Sequence, residues 1–322
     1  MNEFLSFVRF HKKTGGLLVS DKQLKTGSAR KRKIRDHLVA YSFIAPNFIG
    51  FAVFTLVPML FSFVLSLMEW DGGTVNPMKF TGIQNYLRLF ADSKFQNAYW
   101  NTLVYALGYV PLTLVLSLLL AIVLNAKIRG RNFFRTLSFF PYVASIVAVA
   151  SVWNMLFNPS MGPVNMLLSA LGIENLPRWS ADKNWAMITV ILFSVWRSIG
   201  YYMIIFLAGL QGINADLYEA ASLDGAGKWK QFLNVTLPQL KPTTFFVVVM
   251  LTIGSFKVYD QIFLITQGGP GDRTMVLVYY IYNQAFKYSD YGYASTVSIV
   301  LFLTVLAVTL IQFRGEKKYA NS

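Results

Sequence analysis

The sequence predicts an all-α, polytopic membrane protein with six transmembrane helices. Three observations predict it. Of 322 residues, 55% are hydrophobic and only 14% charged, and the mean hydropathy is +0.46. Nearly uncharged runs recur along the chain, each close to the roughly 20 residues that a bilayer-crossing helix needs. The basic residues gather at the ends of these runs and in the N-terminal stretch, so the net charge of +14 suits a membrane surface better than nucleic acid. There is no cysteine, which excludes disulfides, thiol chemistry and cysteine metal sites. The two histidines, His11 and His37, form no metal-ligand pair.

Residues 1–37 read as a basic cytoplasmic tail, densest from Arg30 to Arg35. No cleavable signal fits, because the apolar segment that follows is too long and lacks a small-residue cleavage site. Phe4, Leu5, Phe7, Val8 and Phe10 could rest on a membrane surface, or the tail could simply be mobile. Residues 38–95 hold the first span, Tyr41 to Met68, and an external loop; Pro46 and Pro58 should bend that span. Residues 96–313 form a core of five spans. These run from Thr102 to Asn125, Leu137 to Phe157, Trp185 to Leu210, Thr243 to Ile265 and Ala294 to Phe313. Pro111 and Pro141 are tolerated in them because neighbouring helices can satisfy the freed backbone groups. Residues 314–322 are a short C-terminal tail. Lys and Arg number 20 on the side that carries both termini and 7 on the other, which places both termini in the cytoplasm.

Between the fourth and fifth spans lies a polar stretch, residues 214–242, on the cytoplasmic side. Asn214 can cap a short helix with Asp216 near its positive end. Leu217, Tyr218 and Ala221 fall at helical spacing, and Ala220 and Ala221 permit close approach by another surface. Gly225 and Gly227 allow a sharp turn. A second helix, Lys228 to Asn234, can follow before Leu237-Pro238 redirects the chain. The expectation is a helix-turn-helix knob. Gly225-Ala226-Gly227-Lys228-Trp229 is no phosphate loop: Ser222 stands where a P-loop needs Gly, Trp229 where it needs Ser or Thr, and no strand precedes.

This stretch resembles the EAA loop of permease subunits of binding-protein-dependent ABC importers. Glu219-Ala220-Ala221, Gly225, Val235 and Leu237-Pro238 fall on that pattern, with Val235 in place of Ile. The likeness runs from about Ala45 to Phe313, and is similar to the carbohydrate-uptake subclass. It includes Phe80 to Tyr86, Asn101 to Leu103, Arg135 to Leu137, Gly162 to Asn165, Ala208 to Gln211, Tyr259 to Ile262, Gly268 to Pro270 and Tyr291 to Tyr293. Within the paired permeases it is nearest to the type represented by the larger maltose-system permease, without that protein's external insertion. The resemblance implies a type I ABC importer permease fold and a bacterial or archaeal plasma-membrane location. It implies a second permease, two ATPase subunits that hold ATP and Mg, an external solute-binding protein, and a sugar or oligosaccharide as solute. No cofactor is expected on this chain. It further implies that Glu219, Ala220, Ala221, Asp224, Gly225, Leu237 and Pro238 couple to an ATPase, and that the fifth span lines the path.

Candidate path residues are Leu251, Gly254, Ser255 and Val258, a stripe at helical spacing in which Gly254 leaves room and Ser255 offers a hydroxyl. Packing against a small-residue face is the competing reading. Arg197, Lys257 and Asp260 are the ionisable residues within or near the later spans, where an unpaired charge is expensive. Lys257 and Asp260, three apart, could pair on one helix face, or Arg197 could pair with Asp260. Either arrangement could line the path or lock the bundle. Of the aromatic residues crowding the spans, including Tyr105, Tyr109, Trp153, Trp196, Tyr201 and Tyr202, most are anchors or packing and a few could stack on sugar rings. An ion-coupled carrier working without an ATPase is the alternative function. An intramembrane enzyme has no metal-ligand cluster, nucleophile–base pair or phosphate motif behind it.

Overall fold

A computed structural model describes residues 24–73, 76–126 and 128–320; the apolar stretch Phe4 to Phe10 lies outside them. The chain divides into two compact units, residues 1–61 and 62–322.

The first unit holds α1 (Leu24–Phe51), a π-turn (Ala52–Leu56) and the first residues of α2 (Val57–Leu65). The basic residues 24–37 thus belong to the same helix as the first span. Pro58 follows the π-turn by two residues, and Val57 N–H closes the wide turn onto the Ala52 carbonyl. A widened turn accommodates a proline ring, which would otherwise strike the carbonyl four residues back.

The second unit is built around one helix. Helix α8 (Ala186–Gln211) has 61% of its apolar window buried, against 28% for α4 (Ser93–Asn125) and 22% for α15 (Tyr291–Ala320). It packs on α4, on α5 (Arg131–Val143) and on α12 (Lys241–Phe256). Tyr105, Phe193, Met203, Phe206 and Leu251 meet there, almost fully buried. Close approach of α5 depends on Gly200, because a Cβ at that position would lie 1.9 Å from the Ser138 carbonyl oxygen. The end of α4 is closed by Arg135, which donates to the Leu124 carbonyl at 2.7 Å, a cation at the negative end of a helix.

Four helices are long and apolar enough to cross a membrane, or up to six if each of two bent pairs counts as one span. The six-span expectation is thus met only in part, and two of its spans need correction. The third span is two helices, α5 and α6 (Ile146–Leu156), bent by 99° at Ala144 and Ser145, and the short α7 (Pro163–Ala170) follows. The fifth span ends at Phe256 instead of Ile265. Val258 and Tyr259 lie outside any helix before the short α13 (Asp260–Ile265) begins. At its other end α12 joins the preceding helical stretch, residues 228–239, across a 64° bend.

Away from the spans, side chains staple loop to helix. Two short strands, β1 (Met68–Glu69) and β2 (Lys79–Phe80), pair antiparallel, and α3 (Gln84–Ala91) follows. Asn85 donates to the Ser66 and Met68 carbonyls, and Asn101 to those of Asp272 and Met275. Asp92 caps α4 by accepting from the amides of Lys94 and Phe95, and it also accepts from the hydroxyls of Tyr280, on α14 (Leu277–Tyr282), and Tyr293. Burial raises the Asp92 carboxyl, but the two tyrosine hydroxyls and the two amides outweigh it and hold the group below the usual carboxylate range. Beside it, Arg88 pairs with Asp290 at 2.7 Å and lies 3.9 Å from the centre of the Tyr293 ring.

A carboxyl that is easier to ionise in the folded than in the unfolded chain stabilises above its unfolded value, and that stability is lost as pH falls through the folded one. Asp92→Ala removes four acceptor contacts at once and should destabilise by about 1–3 kcal/mol. Thermal unfolding of the wild type in detergent should lose stability below about pH 4, the ordinary carboxylate range, and the variant should lose less of it. Equal acid sensitivity in both would place the effect elsewhere.

Candidate functional site

The 214–242 stretch forms the expected knob. Asn214 accepts from the Asp216 amide at 3.1 Å and caps α9 (Ala215–Leu223), with Asp216 in its first turn. Gly225 ends the helix at φ +74°, where the Ala226 amide reaches back to the Ala221 carbonyl at 2.9 Å and the Gly225 amide to Ser222 at 3.0 Å. That six-to-one closure requires the left-handed residue. Gly227 has φ −66°, so the turn uses one glycine's freedom and not two.

The return stretch comprises α10 (Lys228–Gln231), a π-turn (Phe232–Thr236) and α11 (Leu237–Gln239). Here Leu237-Pro238 does not redirect the chain. Pro238 sits inside the helical stretch two residues past the π-turn, as Pro58 does, and the bend falls at Leu240. Two contacts tie the helices of the knob together. Tyr218 and Thr236 share a hydroxyl–hydroxyl hydrogen bond of 3.0 Å. Gln231 donates to the Ser222 hydroxyl and to the Ala226 carbonyl. No residue of α9 is buried. Glu219, Ala220, Asp224 and Gly225 are exposed, Ala221 half-buried. Leu223 is 90% and Trp229 70% exposed. Neither is among the coupling candidates that the sequence offers; their signal is a large apolar side chain on each side of the Gly225–Gly227 turn.

The path candidates are not gathered on one open face. Leu251, Ser255 and Val258 are buried in the core, and the Ser255 hydroxyl donates to the Thr252 carbonyl of its own helix at 2.7 Å. Gly254 points away from them: it is exposed, and a Cβ there would have nothing within 4 Å. Lys257 and Asp260 are exposed and do not share a helix face, because the helix breaks between them. Arg197 does not pair with Asp260 either. Its Nη2 donates to the Tyr142 carbonyl at 3.2 Å, its guanidinium lies 5.4 Å from the centre of the Tyr142 ring, and its Nε is buried without a partner. Among the described residues Arg88–Asp290 is the one ion pair, and no group of acidic residues and histidines could hold a metal.

Such a scaffold, apolar helices with an exposed polar knob between two of them, can be compared with known proteins. Residues 113–319 match the family described as "Binding-protein-dependent transport system inner membrane component". The chain belongs to that family. This transport component is 39% identical to the lactose transport system permease protein LacF of Rhizobium radiobacter over 281 residues, 86% of this chain and 93% of LacF. It is 32% identical to the trehalose/maltose transport system permease protein MalF of Thermococcus litoralis over 284 residues, 88% of this chain and 95% of that protein. Its fold matches a chain of the bacterial alginate ABC transporter solved in complex with an alginate pentasaccharide-bound periplasmic protein. There the TM-score is 0.77 at 25% identity, over 87% of this chain and 94% of that one. The likeness read from the motifs is therefore a family membership, and the transport component spans nearly the full length of these relatives.

The open surroundings of Gly254 separate its own packing from its surface. Gly254→Leu should leave the melting temperature of the isolated transport component unchanged. Uptake by the assembled transporter should fall by an order of magnitude if the new side chain enters the path. Normal uptake at normal complex yield would remove Gly254 from the path.

Proposed function

We propose that this chain is a permease subunit of an ABC importer, forming the translocation path for a sugar or oligosaccharide. An external solute-binding protein delivers the solute, and ATP hydrolysis in two separate ATPase subunits, which hold ATP and Mg, drives it. A second permease completes the path. The observation that carries this reading is the knob, an exposed short helix with Glu219, Ala220 and Ala221, closed by Gly225 at positive φ, in a chain of this family. The sugar relatives LacF and MalF support the solute class. The solved alginate transporter, with its periplasmic protein, supports the delivery route. Membership in this family favours the ATP-driven reading over an ion-coupled carrier.

In the proposed mechanism the knob is the joint. Leu223, Leu217 and Trp229 supply exposed apolar area around the small residues, which a groove on an ATPase would cover. Closure of the ATPases on ATP shifts the docked knob. The bend at Leu240 passes the shift to α12, and the cavity turns from inward-facing to outward-facing. The path residues in this reading are Leu251, Gly254, Ser255, Val258, Arg197, Lys257 and Asp260.

Two experiments test it. With both termini and the knob in the cytoplasm, a cysteine introduced at Asn76 should react with a membrane-impermeant thiol reagent in intact cells, and one at Asn132 should not. The opposite labelling would sink the orientation. For coupling, Ala221→Trp enlarges the docking face, and Gly225→Val places a β-branched residue at φ +74°, where strain of roughly 1–3 kcal/mol is expected. Space alone would admit the new side chain, since nothing lies within 4 Å. Both variants should insert normally and lose ATPase association or solute-stimulated hydrolysis on reconstitution. Full coupling in both would mean that this loop is not the joint.

A further inference from the structure

A groove of about 870 Å³ opens where α12 leaves the bend at Leu240 and runs beside the end of α15. Leu237 lines it before the bend, and Phe245 and Val248 line it after. Its walls are mostly apolar. The Phe245 ring is held edge to face against Phe313 of α15, centres 5.2 Å apart. A groove of this size suits an amphipathic small molecule.

Three polar groups in it lack partners. Lys241 and Glu316 both line the groove and carry opposite charges, yet neither forms an ion pair with the other or with any described residue. The third group is on Gln312, which lines the same space. Its Nε2 donates to the Thr252 hydroxyl at 2.8 Å, and that hydroxyl donates in turn to the Val248 carbonyl at 2.7 Å. The hydroxyl has one proton, so toward Gln312 it only accepts. This fixes the amide with Nε2 on Thr252 and leaves Oε1 buried with no donor. A buried acceptor without a donor is costly.

Together these features specify a ligand. The walls need apolar length, Lys241 needs an anion, and Glu316 and Gln312 Oε1 need a cation with N–H donors. A helix of a second permease would bring the apolar length without the two charges. An anionic lipid would set its charge against Glu316. We propose that the groove binds a phosphatidylethanolamine molecule, with its tails along Phe245 and Val248, its phosphate on Lys241 and its ammonium on Glu316 and Gln312 Oε1. The position fits a headgroup, because Lys241 begins α12, where the polar knob gives way to an apolar span. Leu237 and Phe245 lie on opposite sides of the 64° bend, so the bound lipid touches both of its arms. The site is separate from the path and holds whatever the solute is.

The test uses the full chain purified in detergent and, in parallel, the transporter assembled with its second permease and ATPases. Dioleoyl phosphatidylethanolamine, phosphatidylcholine and phosphatidylglycerol share tails and phosphate. The choline lipid keeps the cation but has no N–H, and the glycerol lipid has no cation. Each is titrated and its bound fraction read by native mass spectrometry. The ethanolamine lipid should bind about tenfold more tightly than either, the scale of one charge-assisted hydrogen bond. Glu316→Gln should lower it to the level of the choline lipid, whereas Lys241→Gln should weaken both alike. Gly315→Trp fills the groove from a position where a Cβ has nothing within 4 Å. It should remove the bound lipid and leave the melting temperature in lipid-free detergent unchanged. Equal affinity for the three lipids, an ethanolamine preference that survives Glu316→Gln, or full lipid binding in Gly315→Trp would overturn the proposal. So would tightest binding of the glycerol lipid, the mark of simple attraction to Lys241. A lipid held by the isolated chain and excluded from the assembled transporter would also overturn it, and would make the groove an interface between permeases.

Discussion

A backbone amide at membrane depth has no water to bond, so each one must find its acceptor inside the protein. That constraint explains most of the second unit. It makes the spans helical, and it makes every interruption a place where some other group takes over. In the first unit a π-turn precedes Pro58 and the helix continues, and the same device precedes Pro238 in the knob. At the end of α4 the Arg135 guanidinium serves the Leu124 carbonyl. At Ala144–Ser145 and at Val258–Tyr259 the helix breaks, and these breaks adjoin the ionisable residues of the later spans: Arg197, bonded to Tyr142, at the first, and Lys257 and Asp260 at the second.

The same need for partners accounts for the polar residues scattered through the loops. Asn85, Asn101 and Asn165 each donate through one amide nitrogen to two carbonyls from elsewhere in the chain. Thr102 accepts the amide of Leu277, and Thr274 bonds the Gly269 carbonyl. Asn85, Asn101, Thr102 and Asn165 lie in the motifs that carry the family likeness outside the knob. Their role in this chain is to hold irregular backbone. The knob differs: it keeps its own turn closed with Gln231 and Gly225 and leaves its outer faces bare.

The split between buried and bare also separates the two halves of the functional reading. The proposed coupling residues lie on the knob, on α9, on its turn and on α11, and no residue of α9 is buried, so a local change on α9 does not reach the core. The path candidates are divided between the core and the surface, with Leu251 and Ser255 inside and Gly254 outside. A residue such as Ser255, bonded to its own helix, acts on a path only through the position of that helix.

Much of this was legible in the sequence, for identifiable reasons. Spans are legible because burial in lipid needs long apolar runs, whatever packs on them. The knob is legible because its cap, its small residues and its left-handed glycine are local requirements, set within a dozen residues. The pairings of Lys257, Asp260 and Arg197 were not legible. Helical spacing assumes an unbroken helix, and whether the helix breaks at Lys257 depends on what α13 and α14 pack against. The partner of Arg197 lies 55 residues away on a helix brought near by Gly200. Local chemistry is written in the order of residues; which side chains meet across helices is decided only when close packing brings those helices together.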